Sequence, residues 1–163
     1  MAQSRVLFVC RHNSCRSQIA EGFATYLGGS KSSQIPPIFS LVGSAALEGT
    51  STVNPSAVSC MSDRGVDISS QYSKMIDDFL PSDFDIVISM CGCGATVPDV
   101  WKEGKRFEDW NVEDPTNKGA EEFVKAREEI ESRVKELIAS HMEGREPTYS
   151  LYVADACPIS RKH

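Results

Sequence analysis

The sequence has 163 residues, 23 acidic against 17 basic side chains for a net charge of −6, and six cysteines. This length, with 40% apolar and 25% charged residues, predicts one soluble domain large enough to bury a core. It excludes a transmembrane helix, because no apolar run approaches ~20 residues, and the acidic balance argues against general nucleic-acid binding.

The first apolar run, Ser4 to Val9, is short, β-branched and aromatic, and reads as a buried strand. The apolar run Val6 to Cys10, followed by Arg11, is too short for a signal-peptide core. Without a secretory signal, the cysteines are expected to be reduced thiols, reactive or metal-binding, and not a disulfide framework. Residues 17–27 carry Ile19, Phe23, Ala24 and Leu27 at helical spacing and stop at Gly28-Gly29. Ser30 to Pro37 reads as a loop and Ile38 to Gly43 as a second strand. Asn54-Pro55 is a helix start, Asn as N-cap and Pro at the first helical position, with Ala57, Val58 and Met61 as the apolar face and Gly65 as the stop.

Phe84 to Met90 is the clearest central strand. Residues 119–142 are the clearest helix, with Ala120, Phe123, Val124, Ile130, Val134, Leu137 and Ile138 as the predicted stripe. Strands alternating with helices predict right-handed crossovers and a parallel sheet covered on both faces. Residues 1–143 are expected to form the domain and 144–163 a C-terminal extension, in which Tyr149 to Ala154 is a further strand or a disordered stretch.

The chemistry concentrates in Cys10-Arg11-His12-Asn13-Ser14-Cys15-Arg16-Ser17, between the first strand and the first helix. Such a turn lies at the carboxyl edge of an open α/β sheet, where ligands bind. Its N–H groups can form a nest, and the next helix points its positive end at the same place. A cysteine there has its thiolate stabilised by the dipole and by a nearby guanidinium. Arg16 can return across the loop to clamp two oxygens of a tetrahedral oxyanion, and Ser17 can donate to the sulfur. The oxyanion cradle is therefore Arg11, His12, Asn13, Ser14, Cys15 and Arg16, acting mainly through the backbone. The His12 side chain is read as a rim residue and Cys15 as a small buried thiol.

This segment resembles the low-molecular-weight protein tyrosine phosphatase superfamily, including its arsenate reductase branch. Ser17-Gln18-Ile19-Ala20-Glu21-Gly22 is closer to the reductases, and the similarity runs from Val6 to about residue 140. The resemblance implies a three-layer α/β fold with a central four-stranded parallel sheet flanked by helices. It makes Cys10 the nucleophile, Arg16 the oxyanion clamp and Ser17 the thiolate stabiliser, and it implies an unusual backbone at Asn13, a residue that tolerates the left-handed region. Asp114-Pro115 matches the family's acid loop, so Asp114 is the implied general acid; its alternative reading is a helix N-cap, and Asp109 and Glu113 are nearby competitors. Glu21 and Asp67 resemble positions that support a monovalent cation in some relatives, although Glu21 also reads as a helix-pairing carboxylate.

Cys91-Gly92-Cys93-Gly94 follows the central strand and so emerges at the same edge. Two thiols on a glycine-flanked segment are hard to explain as packing, and a metal site lacks the second Cys/His pair that such sites use. A redox relay explains both clusters: Cys10 attacks arsenate, then a second thiolate attacks the Cys10 sulfur and two electrons pass to arsenic. The Cys-x-Cys spacing resembles the cyanobacterial-type branch, which draws on glutathione and glutaredoxin, more than the thioredoxin-coupled one, whose later cysteines stand further apart. A Cys-x-Cys disulfide closes a strained ring that a small thiol readily opens. The order of attack between Cys91 and Cys93 is left open, with a lean towards Cys93 closing the cycle. No bound cofactor or metal is expected, only glutathione as reductant, and the partners are arsenate, phosphate as its analogue, and glutaredoxin/glutathione or thioredoxin. A cytoplasmic monomer is expected.

The alternatives are a phosphatase hydrolysing phosphate monoesters through a phosphocysteine, a phosphocysteine carrier without turnover, and a thiol metal-binding module. Phosphatase relatives usually place an aromatic after the Asp-Pro, where Thr116 stands here, and have no use for Cys91 and Cys93. Cys60, beside Met61, reads as core, and Cys157 lies outside the resemblance and carries no assignment.

Overall fold

The computed structural model describes residues 3–92 and 94–144. Cys93, Cys157 and the Tyr149–Ala154 segment lie outside them, as does the extension beyond Gly144.

Four strands, β1 (Ser4–Cys10), β2 (Phe39–Ala46), β3 (Ile86–Ser89) and β4 (Arg106–Asp109), form one sheet in the order β2-β1-β3-β4. Every pairing is parallel. The helices are α1 (Arg16–Gly28), α2 (Pro55–Ser62) and α3 (Ala120–Glu143). They pack on one face of the sheet, against Val6, Phe8, Ile86 and Ile88. The other face, carrying Leu7, Val9, Val87 and Phe107, is covered by short 3-10 turns such as Ile76–Asp78 and Asp99–Trp101, with Ile76, Phe84, Val97 and Trp101 packed onto it. Val6 to Val9 are wholly buried because both faces are covered. Each such side chain contributes roughly 1.5–3 kcal/mol of burial.

The helix starts and stops follow local chemistry. The Asn54 side chain accepts the Ser56 N–H at 2.8 Å with Pro55 at the first helical position, as predicted. Gly144 caps α3 in the left-handed conformation at φ 67°. Three expectations are corrected. β2 runs on to Ala46, because Gly43 to Ala46 pair with Leu7 to Cys10. The buried stripe of α3 is Phe123, Ala126, Ile130, Val134 and Leu137, while Ala120 and Val124 are exposed. β4 went unassigned in the sequence because Arg-Phe-Glu-Asp is short and polar. Its Glu108 is nevertheless 1% exposed, accepting from Arg106 Nε and Trp110 Nε1 at 2.8 Å each.

This topology places the site. β1 leads to β2 on one side and has β3 on the other, so the chain opens a crevice beyond the carboxyl ends of the strands. Val9 and Ser89 are register partners, so the segments after Cys10 and after Ser89 leave the sheet side by side.

Candidate active site

Cys10 ends β1 and is 4% exposed. From Cys10 to Cys15 every carbonyl is taken: by Leu47 N, Glu48 N, the Ser73 hydroxyl, Gln18 Nε2, Asn54 N and Ile19 N in turn. Among the described residues, no N–H from Arg11 to Cys15 donates to the protein. The loop has turned its acceptors outward, and its donors line the inside. The side chains also leave the centre. Arg11 pairs with Glu48, Ser14 Oγ donates to Thr52 O at 2.8 Å, and His12 Nδ1 lies 3.3 Å from Gly49 O. His12 is thus at the rim, as expected.

Asn13 makes this curl possible. It has φ 51°, is fully buried, donates from Nδ2 to Ser17 Oγ at 2.7 Å and accepts the Lys74 N–H at 2.9 Å. Ser17 Oγ passes its own hydrogen to Cys10 Sγ at 3.3 Å. Arg16 is 8% exposed, with Nη1 donating to Val112 O at 2.9 Å and Met90 O at 3.4 Å. Those two carbonyls hold the guanidinium over the cradle, and its Nη2 lies 3.9 Å from Asp114 Oδ2. Burial pushes the Cys15 thiol far up, so it rests as a neutral buried thiol beside Cys10.

Asp114 faces this cleft from the loop after β4. Burial pulls its pKa up, but the Thr116 hydroxyl at 2.7 Å, the Thr116 N–H at 3.1 Å and Arg16 outweigh it and hold the carboxyl below its ordinary value. Thr116, where an aromatic was weighed, therefore serves as the carboxylate's own partner.

Cys91 is half-buried and lines the same cleft as Cys10, Arg16 and Asp114, a space of about 810 Å³ that far exceeds a four-oxygen anion. Its Sγ lies 3.5 Å from Ser89 Oγ. Gly92 follows at φ 74°, where a Cβ would come within 2.2 Å of Asn111 Oδ1. The Gly94 N–H donates to Asp109 Oδ2 at 2.6 Å. Sequence reasoning missed Ser89 and Asn111, whose role depends on strand neighbours far away in the chain. It weighed Asp109 only as an acid, which its place beneath the Cys91 segment corrects.

Cys60 packs in the core, its Sγ 3.9 Å from Phe123 O, as read from the sequence. Glu21 accepts from Ser44 Oγ at 2.5 Å and lies 3.5 Å from Lys74 Nζ, so an ammonium group stands beside it. Asp67 accepts from its neighbour Ser69.

Residues 5–146 match the model of the low molecular weight phosphotyrosine protein phosphatase family. The chain belongs to that family. Within it, the chain is 45% identical over 135 residues to a glutaredoxin arsenate reductase of Synechocystis, covering 83% of this chain and 96% of that one. It is 37% identical over 149 residues to an arsenate reductase of Bacillus subtilis, covering 84% and 96%. Among solved structures, an arsenate reductase in the phosphate binding state superposes with a TM-score of 0.74 at 44% identity, covering 85% of this chain and 98% of that one. A tyrosine phosphatase of Erwinia amylovora shares the fold at 16% identity, with a TM-score of 0.70 and 85% and 93% coverage. The four-stranded parallel sheet and the family membership stand as expected. No helix among the described residues is long and apolar enough to cross a membrane.

Proposed function

We propose that this member of the family reduces arsenate to arsenite, with Cys10 as nucleophile and Cys91 and Cys93 as the thiols that supply the electrons. The observation that carries the reading is Cys91, a half-buried thiol in the same cleft as Cys10 and Arg16. Hydrolysis of a phosphocysteine needs only water there, and reduction needs a second sulfur.

Arsenate enters the nest of N–H groups and meets the Arg16 guanidinium. The Cys10 thiolate, held by the Ser17 hydroxyl, attacks arsenic, and one oxygen leaves as water with its proton delivered from Asp114. Asp114 rests ionised, so it must first take up a proton. The anion's charge and its claim on Arg16 both favour that uptake. Cys91 then attacks the Cys10 sulfur: a disulfide forms, the sulfur–arsenic bond breaks, and its electron pair reduces arsenic from the pentavalent to the trivalent state. Cys93 displaces Cys10 from Cys91, and the resulting Cys91–Cys93 disulfide is opened by glutathione and a glutaredoxin. The name of the Synechocystis relative supports that reductant. The cycle needs one chain, so a cytoplasmic monomer suffices.

The test is arsenate-dependent NADPH oxidation, coupled separately to glutathione/glutaredoxin and to thioredoxin. Wild type is expected to turn over with the former, and Cys91→Ser and Cys93→Ser each to stop after at most one arsenite. Normal turnover in both variants removes the relay. Brisk hydrolysis of phosphate esters with arsenate untouched makes the protein a phosphatase.

A further inference from the structure

Asp109 is a half-buried carboxylate at the sheet edge that these steps leave unused. It ends β4 opposite Ser89, the last residue of β3, in parallel register. The two therefore project to one face of the sheet, the face over which the Gly94–Trp101 segment passes. Oδ2 accepts the Gly94 N–H at 2.6 Å, while Oδ1 is buried with no partner at hydrogen-bonding geometry among the described residues. The Ser89 side chain is wholly buried, and its Oγ stands 3.5 Å from Cys91 Sγ, a contact in which either atom can donate. A carboxylate, a hydroxyl bonded to it from the register-paired residue and a thiol beyond the hydroxyl make a path for one proton.

We propose that Asp109 accepts, through the Ser89 hydroxyl, the proton that Cys91 loses as it attacks Cys10. The idea rests on the reductase reading above. The Cys91 S–H proton moves to Ser89 Oγ while the Ser89 hydroxyl proton moves to the Asp109 carboxylate. The Cys91–Cys10 bond forms, the Cys10 sulfur–arsenic bond breaks with its electron pair left on arsenic, and Asp109 afterwards returns the proton to the departing arsenite or to water. Ser89 touches the reacting sulfur, and Asp109 is a positioning group that acts through it. Desolvation raises the Asp109 pKa, although the Gly94 N–H, the Ser89 hydroxyl, the Gly92 N–H and, from α3, the Arg133 guanidinium all oppose the rise. A carboxylate lifted in this way is a stronger base than an exposed one.

Asp109→Asn and Ser89→Ala test the path with two measurements. The first is alkylation of Cys91 by iodoacetamide at pH 7 in a Cys10→Ser background, assigned by peptide fragmentation, which uses no arsenate. Removing a nearby negative charge would by itself favour the thiolate and speed alkylation, whereas removing a base slows it. Slowing of about tenfold is expected in each variant, and unchanged or faster alkylation in Asp109→Asn overturns the proposal. Ser89→Ala removes a single oxygen, so it carries the test alone if Asp109→Asn does not fold. The second is single-turnover arsenite release, expected to fall on the order of 10²-fold at neutral pH. Its rise with pH is expected to shift upward in each variant, where the half-buried base no longer takes the proton. Wild-type and variant profiles that superimpose overturn the proposal. Phosphate binding at the cradle reports whether each variant is folded. Slowed alkylation alongside a wild type that forms no arsenite would keep the proton path and remove the reductase reading.

Discussion

The Cys10–Ser17 cradle and Cys91 meet in one cleft but are held in different ways. Inside the cradle Asn13 bonds Ser17, Ser17 bonds Cys10, and Gln18 takes the Asn13 carbonyl, while Leu47, Glu48, Asn54, Ser73 and Lys74 fasten its outside. The Cys91 segment leans on a different strand and a different loop, through Asp109 beneath Gly94 and Asn111 behind Gly92. The proposed nucleophile is thus fixed from within its own loop and from outside it. The proposed relay thiol, Cys91, lies instead on a segment held from outside, by Ser89, Asp109 and Asn111. The two halves of the reaction should therefore fail separately.

The largest effect belongs to the cradle. Cys10→Ser is expected to lower arsenite formation by roughly 10⁴-fold or more, because no other described thiol has the cradle around it. Single-turnover arsenite assays check this, and retained activity would move the nucleophile elsewhere. Gly92→Ala probes the other half. It places a side chain at positive φ and 2.2 Å from Asn111 Oδ1, at an expected cost of roughly 1–3 kcal/mol. Arsenite release should drop by about tenfold or more, while phosphate affinity at the cradle stays within about twofold. A matching loss of phosphate affinity would show that the two regions are one rigid unit after all. Thermal unfolding and phosphate titration of the same protein give both numbers.

The same contrast decides what could be read from the sequence. Cys10, Asn13, Arg16 and Ser17 lie within eight consecutive positions, so the strand, the turn and the helix dipole could be argued from spacing alone. The left-handed Asn13 was implied by the family resemblance and fits its residue type, whereas the Asn54 cap followed from Asn standing directly before Pro55. β4 could not be found that way. A four-residue strand with Glu108 facing the core violates alternation, and only Arg106 and Trp110, once folded, make that burial tolerable. Ser89 and Asp109 were invisible as a pair for the same reason: twenty positions separate them in the chain, and the β3–β4 register brings them together. On α3 the helical period was legible but its phase at the first turn was not, since Ala120 precedes the part of the helix that other helices cover.

The smallest effect on stability belongs to Asp114, which links the two regions. In the free protein its carboxyl is held below the ordinary value, with burial outweighed by Thr116 and Arg16. A depressed pKa contributes stability that is present above the unfolded-state value near 3.8 and is lost as pH falls through the lower folded value. Asp114→Asn should therefore flatten the acid limb of the stability curve below about pH 4. The shift at neutral pH should be small, because the side chain is 52% exposed and its pairing is screened. In the same variant arsenate should bind at least as well, one negative charge having left the cleft, while transfer of arsenic to Cys10 slows on the order of 10²-fold. Phosphate binding by wild type near pH 6 should take up a proton that Asp114→Asn does not, measured by calorimetry in buffers of different ionisation enthalpy. Equal proton uptake in both proteins would assign the proton to the anion itself, and Asp114 would then be a cap for Thr116 and not an acid.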